Sequence, residues 1–214
     1  MTTPSPEGGP PHPRKRPQQA RSRITVGAML EAAYQVMEAD GYDGLTTTRL
    51  AKRAGVSVGT VYQYFPDKDA VVGALIEAYL QKEERALLSA VEAARGLPFA
   101  EAAPRLVRAF ADVQAEAPER TALLLAGAPP SRWLPEIDAL ARRSVGVVAA
   151  LFRERHAEIP LPDPDLAAFV VVHALDGVFR KAVAERPDAV ASGAVSEEAE
   201  RLVWSYLAAS MDAG

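Results

Sequence analysis

The stretch that decides the fold is Leu45-Thr-Thr-Thr-Arg-Leu-Ala-Lys-Arg-Ala-Gly-Val-Ser-Val-Gly-Thr-Val-Tyr-Gln-Tyr-Phe65, followed by Pro66-Asp67-Lys68. It reads as two short helices around a glycine. Thr46 is a good N-cap, because its hydroxyl can accept from an amide of the first turn that has no partner within the helix. That helix ends at Ala54, and Gly55 supplies the turn. Ser57 can cap a second helix from Val58 to about Phe65. Pro66 closes it, since the residue before a proline is pushed away from helical dihedrals. Leu50, Ala51, Val56, Val61 and Phe65 can pack as an elbow, which leaves Thr60, Tyr62, Gln63 and Tyr64 with polar tips for a partner. Two short helices joined by a glycine turn form a helix-turn-helix. The second helix is too short to stand alone and needs tertiary contacts. Small residues at Gly59 and Thr60 let its first half approach base edges in a major groove.

Working outward, Val26, Leu30, Ala33 and Met37 recur on one helical face, so a helix is expected from about Arg21 to Asp40. Gly41 stands where a left-handed cap would end it. Before it, residues 1–17 hold six prolines and two glycines, a composition that cannot bury enough apolar surface to order itself. After the motif, Asp67 or Asp69 can start a long helix to about Ala94. Further helices are expected at about 99–116, 119–126, 132–157 and 165–184. Pro187 to Gly193 is expected as a loop, and Ser196 as the start of a last helix to about Met211. No strand-period alternation and no internal repeat is present. The expected fold is all-α, with a disordered basic arm (1–19), a helix-turn-helix DNA-binding domain (20–68) and a helical regulatory domain (69–214).

Charge divides along the chain. The net charge is −4, yet residues 1–65 carry eight Lys or Arg against five acids, which makes that segment +3 and the remainder −7. A basic end on an acidic body suits a polyanionic partner at the basic end. Arg21 and Arg23, with the Arg14-Lys15-Arg16 cluster, are phosphate candidates, and such an arm could enter a minor groove. Cysteine is absent, which excludes disulfides, thiolate metal sites and cysteine nucleophiles. The N-terminus has no apolar run of the signal-peptide kind, and no stretch approaches the roughly 20 apolar residues of a membrane span. A cytoplasmic location is expected. None of the three histidines belongs to a His-Glu-x-x-His or Glu-x-x-His pattern, and no glycine-rich phosphate loop is present. Neither catalysis, nor a cofactor, nor a metal is expected.

The pattern Met29-Leu30-x-Ala32-Ala33, Gly41-Tyr42, Thr46-Thr47, Leu50-Ala51-x-x-Ala54-Gly55-Val56-Ser57-x-Gly59-Thr60-Val61-Tyr62-x-Tyr64-Phe65-x-x-Lys68 resembles the tetracycline-repressor (TetR) family over about residues 21–80. The resemblance implies that Thr47 bonds a backbone phosphate, that Tyr62 and Tyr64 pack on or bond the phosphate backbone, and that Lys68 pairs with another phosphate. It also implies that Thr48, Val58, Gly59, Thr60 and Gln63 face bases. Among these, a Gln amide can pair bidentately with adenine. Val58 reads equally as a spacer, Tyr64 as packing, and Lys52 and Arg53 as solvated charges.

The resemblance further implies a ligand-binding, dimer-forming helical body, with the last two helices as the dimer interface. Phe169, Val172, Leu175, Val178 and Phe179 on one, and Leu202, Val203, Tyr206, Leu207 and Met211 on the other, have the apolar character this needs. An effector pocket should be mainly apolar with few polar groups. Phe110, Leu123, Trp133, Phe152 and Phe169, joined by Phe99 and Phe179, are candidates to line it. His173, Asp176 and Arg108 could orient a ligand, although His173 and Asp176 can also satisfy each other across one helical turn. The function the resemblance implies is a dimeric regulator that binds double-stranded DNA at a palindromic operator, expected to act as a repressor released by an unidentified small molecule. Two alternatives stay open: a helical sensor or interaction protein acting without DNA, and an activator of the same fold.

Overall fold

The computed structural model describes residues 20–127 and 134–212, with side chains from Ser22 to Leu124 and from Pro135 to Ala209. The proposed arm, including Arg14 to Arg16, lies outside the described residues, as does Trp133. No strand occurs among them. The helices are α1 (Ala20–Gly44), α2 (Thr47–Ala54), α3 (Val58–Tyr64), α4 (Lys68–Ala93), α5 (Phe99–Ala115), α6 (Pro118–Gly127), α7 (Leu134–Glu154), α8 (Pro164–Glu185), α9 (Pro187–Ala191) and α10 (Ala194–Asp212).

The chain divides into two compact units. One holds the described residues to Ala78 together with α6 from Leu123; the other holds Tyr79–Ala122 and the described residues from Leu134 on. The division falls inside α4, ten residues beyond the position 68 read from the sequence.

The core of the first unit is supplied by α1, α2, α3 and the start of α4. Met29, Ala33 and Met37 from α1, Leu50 from α2, Val61 from α3, Phe65, and Val71 and Val72 from α4 are all buried. The buried stripe of α1 is turned slightly from the expected one: Met29, Ala32 and Val36 lie inside, whereas Val26 and Leu30 are half-buried. Gly41 does not cap α1 in the left-handed helical geometry. Its φ of 69° and ψ of −178° break the helix in a region open essentially to glycine, and a last turn continues to Gly44.

The second unit is built around Phe99, Phe152, Leu175, Phe179, Val203 and Leu207. Phe99 meets Phe152 edge-on at 5.9 Å and Phe110 meets Phe179 edge-on at 5.4 Å, geometries that the ring quadrupole favours. Two sequence expectations are corrected here. Pro187 to Gly193 is not a plain loop: Pro187 presets the first-turn dihedral, Asp188 complements the N-terminus, and the five-residue α9 forms with Val190 buried. Ser196 does not cap α10. Gly193, at φ 82°, sets the entry; α10 starts at Ala194, and the Ser196 Oγ is buried without a hydrogen-bond partner.

Candidate nucleic-acid interface and effector cavity

The helix-turn-helix is fixed by local hydrogen bonds. The Thr46 Oγ1 accepts from the Arg49 amide at 3.2 Å, and the Ser57 Oγ accepts from the Thr60 amide at 3.0 Å. Gly55, at φ 68° and ψ 29°, is left-handed, and its amide reaches back to the end of α2. Leu50, Ala51, Val61 and Phe65 are buried in the elbow and Val56 is half-buried. Burial of one side of α3 leaves the other side outward.

Thr48, Val58, Gly59, Tyr62 and Gln63 are exposed, with Tyr62 at 46% and Val58 at 37%. Thr47, Thr60 and Tyr64 are half-buried. Gly59 has room around it: a methyl group there would meet nothing nearer than the Ser57 Oγ at 3.7 Å. The Thr47 Oγ1 donates to the Tyr62 Oη at 3.3 Å, tying the start of α2 to α3. Tyr64 shares a 2.7 Å hydrogen bond with Ser22 of α1. Arg23 is exposed on α1, and the side chain of Arg21 lies outside the described residues.

The basic residues differ in their freedom to meet a polyanion. Arg49 pairs with Asp40 at 3.0 Å, and the Arg53 Nε donates to the Gln35 Oε1 at 2.6 Å. Lys68 is held by the end of α1. Its ammonium lies 4.1 Å above the Tyr42 ring, donates to the Tyr42 carbonyl at 3.3 Å, and stands 3.8 Å from Asp43. The exposed α2–α3 surface thus carries neutral hydrogen-bonding tips on α3 and Arg49, Lys52 and Arg53 on α2.

A cavity of about 100 Å³ lies in the second unit, bordered by α4, α5, α7, α8 and α10. Its wall is apolar except at Glu83, Ser144 and Asp176. Of the expected lining, Phe110, Phe152, Asp176 and also Phe99 border it. Leu123 does not, and Phe179 packs behind Phe110 instead. Phe169 and His173 do not border the cavity: their rings lie 4.4 Å apart, tilted by 58°, on the exposed face of α8. Arg108 is engaged by Glu200 at 2.9 Å, outside the cavity. Asp176 pairs with Arg180 one turn on, while His173 leans on Phe169. Sequence reading missed Glu83. Burial is the main cause that pushes its pKa up to about 7. Its spacing of four from Tyr79 on α4 was the available signal, since both side chains then share a face.

The last two long helices present both a buried and an outward apolar face. Leu175, Phe179, Val203 and Leu207 belong to the core. Leu166, Phe169, Val178, Leu202 and Trp204 are exposed, between 38% and 56%. The side chain of Met211 lies outside the described residues.

An exposed, rigidly held helix-turn-helix on an otherwise helical chain with an apolar cavity is the build of a DNA-binding regulator. Comparison with known proteins makes the assignment specific. The family "Bacterial regulatory proteins, tetR family" matches residues 29–75, and "Tetracyclin repressor-like, C-terminal domain" matches residues 98–207. The HTH-type transcriptional regulator BetI of Cronobacter sakazakii is 32% identical over 180 residues, covering 79% of this chain and 83% of that protein. The A-factor receptor protein of Streptomyces griseus is 26% identical over 198 residues; the match takes in 90% of this chain but 66% of the receptor's length. Among solved structures, the fatty acid degradation regulator FadR from Bacillus halodurans superimposes with a TM-score of 0.67 at 21% identity, covering 89% of this chain and 96% of that one. A TetR-like regulator from Rhodococcus sp. RHA1 gives 0.66 at 23% identity, covering 90% and 99%. At those identities the structures share the fold alone. The chain belongs to the tetracycline-repressor family of DNA-binding transcriptional regulators. No helix among the described residues is long and apolar enough to cross a membrane.

Proposed function

We propose that two copies of this chain bind a two-fold symmetric operator in the cytoplasm, repress the adjoining gene, and let go when a small apolar molecule enters the cavity of the second unit. The observation that carries this reading is the cavity itself. A partly open apolar space with few polar groups is the form of a small-molecule site, and one of its walls is α4, the helix whose first turns supply core to the helix-turn-helix unit. About 100 Å³ is less than a drug-sized ligand needs. A larger ligand must therefore move the walls, and moving α4 moves the reading heads. The ligand favours the state that does not fit DNA, and by linkage DNA weakens ligand binding equally. The relative named the A-factor receptor protein supports a receptor role for the body.

In this reading Gln63, Thr48 and Thr60 face bases, with Val58 and Gly59 giving close approach. Thr47, Tyr62, Tyr64, Arg21 and Arg23 position the backbone. Lys68 reaches a phosphate by exchanging its contact with Asp43. Pairing the outward apolar face of α8 and α10 with a second copy covers Phe169 and Leu202 and sets two recognition helices about 34–36 Å apart, one turn of DNA.

The test is displacement of the full chain from a genomic fragment it binds, using a library of apolar and aromatic compounds. At least one compound should release the fragment, and Ala141→Phe, which fills the cavity from α7, should stay bound at the same dose. If no compound changes the affinity, or if the filled variant responds like the wild type, the effector role of the cavity is wrong.

A further inference from the structure

The cavity has a charge character that bears on what it admits. Its wall carries two ionisable side chains, Glu83 from α4 and Asp176 from α8, and no Lys, Arg or His. Basic groups nearby are engaged: Arg180 with Asp176, Arg143 of α7 with Glu84, and Lys82 with Glu116. Glu83 has no ion-pair partner of its own among the described residues; its hydrogen-bond partners are Tyr79 and Gln114.

Those partners hold it in an unusual arrangement. The Tyr79 Oη lies 2.7 Å from the Glu83 Oε1 and 2.8 Å from the Gln114 Oε1, and the Gln114 Nε2 donates to the same Glu83 oxygen. Tyr79 has one proton for two acceptors. With Glu83 ionised, the one Tyr79 proton is shared between the Glu83 and Gln114 oxygens; with Glu83 protonated, Glu83 can donate to Tyr79 instead and leave the Tyr79 proton to Gln114. Burial raises the Glu83 pKa to about 7, with Asp176 adding to the rise while the bonds from Tyr79 and Gln114 and the charge of Arg180 oppose it. Burial also pushes Asp176 up, helped by Asp138 and opposed by Arg180 and His173.

We propose that the effector is an apolar molecule bearing a protonated amine, the amine seated between Glu83 and Asp176 and the apolar body against the aromatic and aliphatic wall. The proposal rests on the cavity being the effector site and adds the charge of the ligand. A carboxylate ligand would meet two acids, and the nearby cation Arg180 is already paired with Asp176. A neutral ligand would leave Glu83 protonated and strand no charge. An ammonium replaces the proton on Glu83 and gives this half-buried carboxylate a direct ion pair. Binding therefore releases a proton, and affinity for the amine rises with pH through about 7.

Three probes of matched size separate the terms: 2-phenylethylammonium, phenylacetate and ethylbenzene, each about one aromatic ring with a short arm. An apolar cavity of about 150 Å³ binds benzene, so these larger probes must widen the space of about 100 Å³ here, as the proposed effector does. Calorimetric titration of the full chain at pH 6, 7 and 8, in buffers of different ionisation heat, reads affinity and proton release together. The amine, which stays protonated below about pH 9, should bind at least tenfold tighter than phenylacetate at pH 8. Its affinity should rise about tenfold from pH 6 to pH 8, with close to one proton released at pH 6. Glu83→Gln should abolish the pH dependence and narrow the preference while still binding ethylbenzene, which shows the cavity intact. Phenylacetate binding as well as the amine, or an amine affinity flat with pH, overturns the proposal. If ethylbenzene binds and the amine gains nothing over it, the charge assignment alone falls. If none of the three binds, the effector reading of the cavity falls with it.

Discussion

In the proposed reading, Gly59 and Gln63 separate the demands of folding from those of reading DNA. A methyl group at Gly59 has space inside the chain, with the Ser57 Oγ 3.7 Å away. Within a helix, alanine is favoured over glycine by roughly 0.5–1 kcal/mol. Gly59→Ala should therefore keep or slightly raise stability in urea unfolding, yet weaken binding to a cognate fragment at least tenfold if, as proposed, the added methyl faces the groove. Equal DNA affinity would mean that Gly59 is not at the interface. Gln63→Ala should lose about 1–3 kcal/mol of discrimination at one base pair in each half-site, read by substituting that pair. A uniform loss across all sequences would make Gln63 a backbone contact instead.

Glu83 gives a prediction on stability. Its carboxyl, normally near 4.5, is raised to about 7 in the fold, chiefly by burial. The folded chain thus holds the proton more tightly than the unfolded chain, and stability falls as pH rises from about 4.5 to 7. Glu83→Gln keeps the shape and removes the titration. It should be more stable than the wild type by about 2–3 kcal/mol at pH 8, shrinking below about 1 kcal/mol at pH 5. A difference independent of pH would show that Glu83 is not held neutral by the fold.

Elements were legible where their ends are decided by local chemistry. Thr46, Gly55 and Ser57 each act within three or four residues, and α2 and α3 begin and end at the positions their side chains indicate. Thr46→Ala should cost about 1 kcal/mol in urea unfolding; no loss would mean that the packed elbow alone fixes α2. Where several signals compete, sequence reading failed. Ser196 looked like a cap, but Gly193 three residues earlier adopts a left-handed φ and starts α10 first. The segment after Pro187 looked like a breaker, yet a proline at the first helical position helps nucleate α9. The end of α1 misled in another way, because Gly41 interrupts the helix and α1 resumes to deliver Tyr42 and Asp43 to Lys68.

Across the whole molecule, the sequence carries the fold class and the helix-turn-helix, and it is nearly silent on the cavity. The reason lies in α8. Phe169 and Phe179 are both aromatic on one apolar helix, but ten residues apart they point to opposite environments, one exposed and one buried. A helix apolar on two sides offers no contrast from which to choose the inward one. The outward side is what a second copy should cover. Replacing both Phe169 and Leu202 by Asp alters only exposed positions, so the chain should stay folded and sediment as a monomer. An unchanged dimer would place the interface elsewhere.

The central claim is that Thr46 to Lys68 reads DNA from a paired chain. It is tested most directly by mixing the purified full chain with fragments of its source genome and sequencing those retained. The account predicts enrichment of a site with two-fold symmetric halves centred about one turn of DNA apart, lost in Gln63→Ala Tyr62→Ala. Retention no better than random fragments, or a site without symmetry, would contradict it.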